Sequence, residues 1–236
     1  MKLLPWIAAL TAGVVGFLTY IGYWGGAVFT PIPATGPPGT AKAGLAAVIL
    51  SGDMGFAVGM GPKIADKLAA DGIPVIGVNS LTFFRHARMP GEVKAMLADA
   101  TQRALAFGHA RQVILIGQSF GADMLHVGLT GLPPRLRERI RMVALVVPTE
   151  TVFFQASPSE MFSWVDPDAD ARETAGQLTW VPTVCIRGRE EQDSLCPHLH
   201  QRNVQQVVLP GGHPLHWDVD AVHAVLSAAI DRTASP

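Results

Sequence analysis

Residues 117–121 read Gly-Gln-Ser-Phe-Gly, between an apolar run, Val113–Ile116, and a stretch suited to a helix, Ala122–Thr130. A strand that turns sharply into a helix lifts the serine hydroxyl clear of a sheet. It also aims helix N–H groups at any negative charge formed beside that hydroxyl. The flanking glycines suit a turn that leaves no room for side chains. The bare five-residue pattern is weak, since an ordinary turn rich in small residues would satisfy it. The strand before and the helix after make Ser119 a candidate nucleophile.

The same alternation continues along the chain. Apolar runs at Leu45–Leu50, Ile73–Val78, Met142–Val147, Pro182–Ile186 and Val204–Leu209 are interleaved with helix-like segments at Pro62–Ala70, Glu92–Phe107 and Val219–Ile230. Gly72, Gly108 and Gly131 punctuate the helix ends. This order predicts an α/β domain, a mostly parallel sheet covered by helices on both faces. The 236 residues suffice for one sizeable domain, residues 44–236, with a short extension before it. The net charge of −1 gives no basic excess of the kind that marks nucleic-acid binding.

A serine hydroxyl needs a histidine to take its proton, and the histidine needs a carboxylate to orient it. In elbow-bearing folds the chain order is serine, acid, histidine. The loop Arg189-Glu190-Glu191-Gln192-Asp193-Ser194 follows the Pro182–Ile186 run and offers three carboxylates. Asp193 is favoured because it lies deep enough to swing back to the sheet, with Glu191 and Glu190 as alternatives. The last strand runs into Pro210-Gly211-Gly212-His213, which puts His213 where the general base belongs, with His216 as its competitor. The oxyanion hole calls for the backbone N–H of Phe120 and a second from Asp53 or Met54, in the loop after the first core strand. Cys196, His198 and His200, with His213 or His216, fit no tight zinc spacing, and no metal or cofactor is expected.

The N-terminus is the second strong feature. Lys2 is the only charge before Lys42, and residues 3–26 are almost wholly apolar. A bilayer core takes about 20 such residues, whereas the apolar core of a cleavable signal peptide is usually about 7–15. Residues 1–26 therefore read as an uncleaved signal anchor in preference to a signal peptide, with the body exported to the periplasm. Residues 27–43, rich in proline and glycine, read as a tether. Export permits a Cys185–Cys196 disulfide around Asp193; the alternative is a buried Cys185 and a free Cys196.

Residues 149–179 break the strand–helix pattern. They hold Phe153, Phe154, Met161, Phe162 and Trp164 with Glu150, Glu160 and Asp166 between them. The segment reads either as a short lid with an apolar and acidic lining or as an amphipathic cover packed on the sheet.

Several segments together resemble the VirJ/AcvB family of exported bacterial proteins. They are Leu50-Ser51-Gly52-Asp53, Asn79-Ser80-Leu81 with Phe83-Phe84 and Arg88-Met89-Pro90, Gly117-Gln118-Ser119-Phe120-Gly121-Ala122-Asp123, Glu191-Gln192-Asp193-Ser194-Leu195-Cys196, and Gly211-Gly212-His213. The resemblance implies an α/β-hydrolase fold and triad roles for Ser119, Asp193 and His213. Some members are described as lysyl-phosphatidylglycerol hydrolases, and some are linked to type IV secretion and virulence. The implied activity is therefore cleavage of the aminoacyl ester of an aminoacylated phospholipid, with secretion-system proteins as further partners. A cationic lysyl group would call for a carboxylate, for which Asp123, Glu150 and Asp53 stand by position, although capping or pairing within the elbow helix is the favoured reading of Asp123. The chain departs from the family pattern at Met54-Gly55, at Asn79 and at Pro214. Two other readings keep the fold: a generic periplasmic esterase or thioesterase, and a non-catalytic adaptor.

Overall fold

The computed structural model describes residues 4–156 and 166–234; Glu160, Met161, Phe162 and Trp164 of the insertion lie outside the described residues. In chain order the elements are α1 (Leu4–Ile21), β1 (Phe29–Ile32), β2 (Leu45–Leu50), α2 (Met60–Ala70), β3 (Val75–Val78), α3 (Ser80–Phe84), α4 (Pro90–Phe107), β4 (Gln112–Gln118), α5 (Phe120–Leu129), α6 (Pro134–Arg137), β5 (Ile140–Val146), β6 (Thr151–Val152), β7 (Ala169–Asp170), α7 (Ala171–Ala175), β8 (Thr183–Gly188), β9 (Val204–Leu209) and α8 (Val219–Arg232).

The main sheet has the order β1-β3-β2-β4-β5-β8-β9, parallel throughout except for β1, which runs antiparallel to β3. Central strands read as unbroken apolar runs because helices cover both faces, and all six residues of β2 are buried. The two-residue period of a strand sorts these side chains between two layers. Ala46, Val48, Leu50, Leu115 and Leu145 pack with Val93 and Leu97 of α4 and Met124 of α5. Leu45, Ala47, Ile49, Ile114, Ile116 and Ala144 pack with Ile64 and Leu68 of α2 and Val222 and Leu226 of α8. Helix starts follow from their caps. The Glu92 carboxylate accepts from Met89 N–H at 2.9 Å ahead of α4, and Asp218 accepts from Ala221 N–H at 2.9 Å at the start of α8. The register pairs Leu50 with Gly117, Gly117 with Leu145, and Gly188 with Leu209. The C-terminal ends of these strands therefore meet along one edge of the sheet, where parallel α/β sheets hold their sites.

One feature of the N-terminal part differs from the sequence expectation. The expected tether contains β1, whose Phe29–Ile32 pair with Val75–Val78 as an edge strand of the domain. An edge strand tolerates Pro31, which has no N–H to give. Ahead of it, α1 spans 18 residues, about 27 Å at the rise of an α-helix. Among the described residues no helix is long and apolar enough to cross a membrane. The side chains of Trp6, Ile7, Leu10, Val14 and Phe17 nevertheless stand exposed, and α1 meets the core only through its last turn, where Leu18 packs against it and Ile21 is buried in it.

The insertion is stapled at its stems. Strands β6 and β7 form a short antiparallel pair. Arg88 N–H donates to Phe154 C=O at 2.9 Å, and Ala156 N–H donates to Phe84 C=O at 2.9 Å.

Candidate active site

The sharp turn at Ser119 is built by exclusion. Ser119 has φ 53° and ψ −128°, a conformation that L-residues rarely adopt. A side chain at Gly117 would strike the backbone of Gly121 and Ala122, and one at Gly121 would strike the carbonyls of Leu50 and Ser51. The two glycines of the motif are therefore dictated by β4 leaving the sheet directly into α5, with β2 pressed against the turn.

Ser119 Oγ lies 2.7 Å from His213 Nε2, and His213 Nδ1 lies 2.6 Å from Glu191 Oε1. A carboxylate accepts, so Nδ1 carries the proton and Nε2 is left to accept from the serine hydroxyl. The other oxygen of Glu191 accepts from Gly188 N–H at 3.1 Å. The Glu191 side chain is 1% exposed, against 40% for His213.

The carboxylate on His213 thus belongs to Glu191, where the sequence favours Asp193. The reason is the path of the loop. Leaving β8, it is bound at once to the histidine loop: Arg189 N–H donates to Leu209 C=O at 2.9 Å and Glu190 N–H to Gly211 C=O at 3.1 Å. A side chain at Gly188 would collide with the carbonyls of Gly211 and Gly212, so these two turns stack without a gap. Glu191 is folded back under His213. Asp193 is exposed, and its carbonyl accepts from Glu150 N–H at 3.0 Å, which aligns its backbone with the insertion. Proximity to the end of β8, rather than depth in the loop, was the available signal. Cys185 and Cys196 form a disulfide with Cα atoms 5.6 Å apart, enclosing this loop.

Burial of His213 disfavours its charged form. The hydrogen bond and charge of Glu191 outweigh burial, with Asp193 and Asp53 adding, and the pKa is raised. The competitor His216 is exposed, its ring packed over Gly211.

The cleft beside Ser119 has a volume of about 120 Å³ and is lined by Gly52, Asp53, Met54, Val58, Gln118 and Trp217 among others. No motif in the sequence singles out Trp217 or Val58. Trp217 is displayed by a rare backbone device, since Leu215, His216 and Trp217 all have φ between 49° and 59°. A methyl group at Gly52 would sit 3.6 Å from Ser119 Cβ, so the loop after β2 reaches the nucleophile. Asp53 and Met54, expected at the oxyanion hole, line this cleft, and Phe120 directly follows Ser119 at the start of α5.

Two carboxylates considered for substrate contact are engaged elsewhere. Asp123 is buried and accepts from both Thr149 N–H and Thr149 Oγ1 at 2.9 Å. Burial, against those two bonds and with the charges of Asp193 and Glu191, pushes its carboxyl well above the ordinary range. Glu150 pairs with His198 at 2.9 Å. Neither lines the cleft, whereas Asp53 does. One turn beyond Asp123, buried His126 meets Thr174 Oγ1 at 2.7 Å, and burial drops its pKa to about 3. The elbow helix thereby ties both stems of the insertion.

No curated protein matches the sequence. Among solved structures, the α/β hydrolase GrgF from Penicillium sp. sh18 is similar with a TM-score of 0.63 at 13% identity, over 86% of this chain and 93% of the other. Est1E from Butyrivibrio proteoclasticus is similar with a TM-score of 0.58 at 11% identity, over 86% of this chain and 94% of the other. The Pyrococcus furiosus esterase Pf2001 gives 0.58 at 15% identity, over 83% and 85%. At such identities the likeness is one of fold, and that fold is the α/β-hydrolase fold. Residues 44–234 match the family described as bacterial virulence protein (VirJ), and the chain belongs to that family.

Proposed function

We propose that this VirJ-family chain is a serine hydrolase that cleaves an ester, with Ser119 as nucleophile, His213 as general base and acid, and Glu191 as the carboxylate that orients it. The observation that carries the reading is the unbroken line Ser119–His213–Glu191 at 2.7 and 2.6 Å, set beside a helix N-terminus and a glycine loop. Ser119 Oγ attacks the ester carbonyl while His213 Nε2 takes its proton. The N–H of Phe120 and that of Asp53 or Met54 receive the developing oxyanion. The tetrahedral adduct collapses, and His213 protonates the departing alcohol. His213 then draws a proton from water, whose oxygen attacks the acyl-enzyme, and returns that proton to Ser119 Oγ as the acid leaves. Glu191 accepts from His213 Nδ1 and holds the imidazole in the productive tautomer.

The finer reading is the aminoacyl ester of lysyl-phosphatidylglycerol, cleaved at the periplasmic face of the inner membrane by an anchored enzyme. Family membership, the exposed apolar side chains of α1, the Cys185–Cys196 disulfide and the presence of Asp53 beside Met54 and Trp217 in the cleft support it.

The test is incubation of the purified chain, and of Ser119→Ala, with vesicles containing lysyl-phosphatidylglycerol, following released lysine. Lysine release is expected from the parent, with a fall of at least about 10³-fold in the variant. Turnover of a p-nitrophenyl ester without lysine release would keep the hydrolase and overturn the substrate. Turnover of neither would overturn both.

A further inference from the structure

The C-terminal end of α1 does not simply lead into the domain. Gly22, at φ +89°, ends the helix in a left-handed turn, with Tyr23 N–H donating to Leu18 C=O at 2.9 Å. The carbonyls freed there go to the domain. Asn79 Nδ2 donates to Ile21 C=O at 3.2 Å, and Thr82 Oγ1 donates to Gly22 C=O at 3.1 Å. Asn79 uses its other side-chain atom to cap α3, accepting from Thr82 N–H at 3.1 Å. Tyr20 OH donates to Ala57 C=O at 3.3 Å.

This junction rests directly on the loop that lines the cleft. Gly55 has φ +79°, and a methyl group on it would stand 2.6 Å from Ile21 O and 2.9 Å from Asn79 Oδ1, so no slack separates the loop from the end of α1. At its other end the loop is held by Ser80, whose N–H donates to Ser51 Oγ at 3.0 Å and whose Oγ donates to Ser51 C=O at 2.6 Å. Residues 52–55 are thus clamped between α3 and α1. An oxyanion donor acts only at about 2.7–3.1 Å from the oxygen it serves. A displacement of about 1 Å in such a loop can cost about 10² in rate.

We propose that the last turn of α1 is a working part of the catalytic site, with Asn79 as the positioning residue that transmits its location to the Gly52–Gly55 loop. This rests on the hydrolase reading above for its catalytic meaning. Its structural content, that α1 sets the rigidity of the loop, stands apart from that reading. One consequence is that removing residues 1–26 would take away a wall of the oxyanion loop, so attachment at α1 and turnover at Ser119 are coupled.

The test uses the full chain and two variants that leave the triad untouched. Asn79→Asp keeps the acceptor that caps α3 and replaces the donor to Ile21 with an acceptor. Tyr20→Phe combined with Thr82→Val deletes two hydroxyl donors at the junction. Steady-state kinetics on a soluble ester is expected to show kcat reduced by about 10- to 100-fold in Asn79→Asp, with KM within about twofold. Hydrogen exchange is expected to quicken over residues 52–58 in both variants while the β4–β5 core keeps its protection. Unchanged exchange over 52–58, or an equal loss of protection across the whole sheet, would overturn the proposal. So would kcat within twofold of an active parent in both variants. Should the parent cleave no ester, selective loosening of 52–58 would still bear the proposal out, and the hydrolase reading alone would fall.

Discussion

The turn at Ser119 and the loop at Glu191 contribute to one site but are held in different ways. Around Ser119 part of the restraint is local and part comes from β2, whose Leu50 and Ser51 carbonyls leave no room for a side chain at Gly121. Gly117 would collide with Gly121 and Ala122, and Ala122 N–H returns to Ser119 C=O at 2.6 Å. Around Glu191 the restraint is mostly distant. Its neighbours Arg189 and Glu190 bond to Leu209 and Gly211, its carboxylate meets His213, and the Cys185–Cys196 disulfide closes the loop. A motif whose glycines mark where side chains have no room can be read letter by letter. A loop shaped by partners some twenty residues away cannot, and three carboxylates within four positions look alike until those partners arrive.

The comparison breaks most sharply at the carboxylates. Glu191→Gln is expected to cut kcat/KM by on the order of 10³- to 10⁴-fold, because an amide no longer fixes the histidine tautomer. Asp193→Asn, an exposed charge acting on His213 only through space, is expected to change it by less than about threefold. A reversed order of effects in steady-state assays would return the role to Asp193.

The elbow provides the next test. Gly121→Ala drives a methyl group into the Leu50 and Ser51 carbonyls and is expected to destabilise the fold by about 1–3 kcal/mol, read from denaturant midpoints. An unchanged midpoint would mean that the turn is less tightly moulded than its geometry indicates.

The smallest effect is in pH. The base form of His213 is the neutral one, and its pKa is raised above the ordinary 6.5. The acid limb of kcat/KM should therefore lie above that value. Glu191→Gln removes the largest of the causes that raise it and leaves burial opposed only by the more distant charges of Asp193 and Asp53, so the limb of the residual activity should move to lower pH. A limb at the same pH in parent and variant would separate His213 from Glu191.

Much of the fold was legible because parallel strands buried on both faces must be apolar throughout. β2 and β9 appear at Leu45–Leu50 and Val204–Leu209 as the sequence predicts. β1 was hidden because an edge strand of four residues with a proline carries little apolar signal. Ser119 and His213 were legible from glycine-bounded turns at the ends of strands. Trp217 was not, because its approach to the cleft depends on three consecutive left-handed residues that no side-chain pattern announces.

The sequence by itself determined the alternation of strand and helix, the serine turn and the place of the histidine, since each follows from hydrophobic period or from the steric needs of neighbouring residues. Only the tertiary structure decided that Glu191 rather than Asp193 meets His213, that Asp123 serves Thr149, and that α1 ends against the Gly52–Gly55 loop. Those choices are made by contacts between segments 20 to 60 residues apart, such as Ile21 with Asn79 at a separation of 58, and nothing local to either segment encodes them.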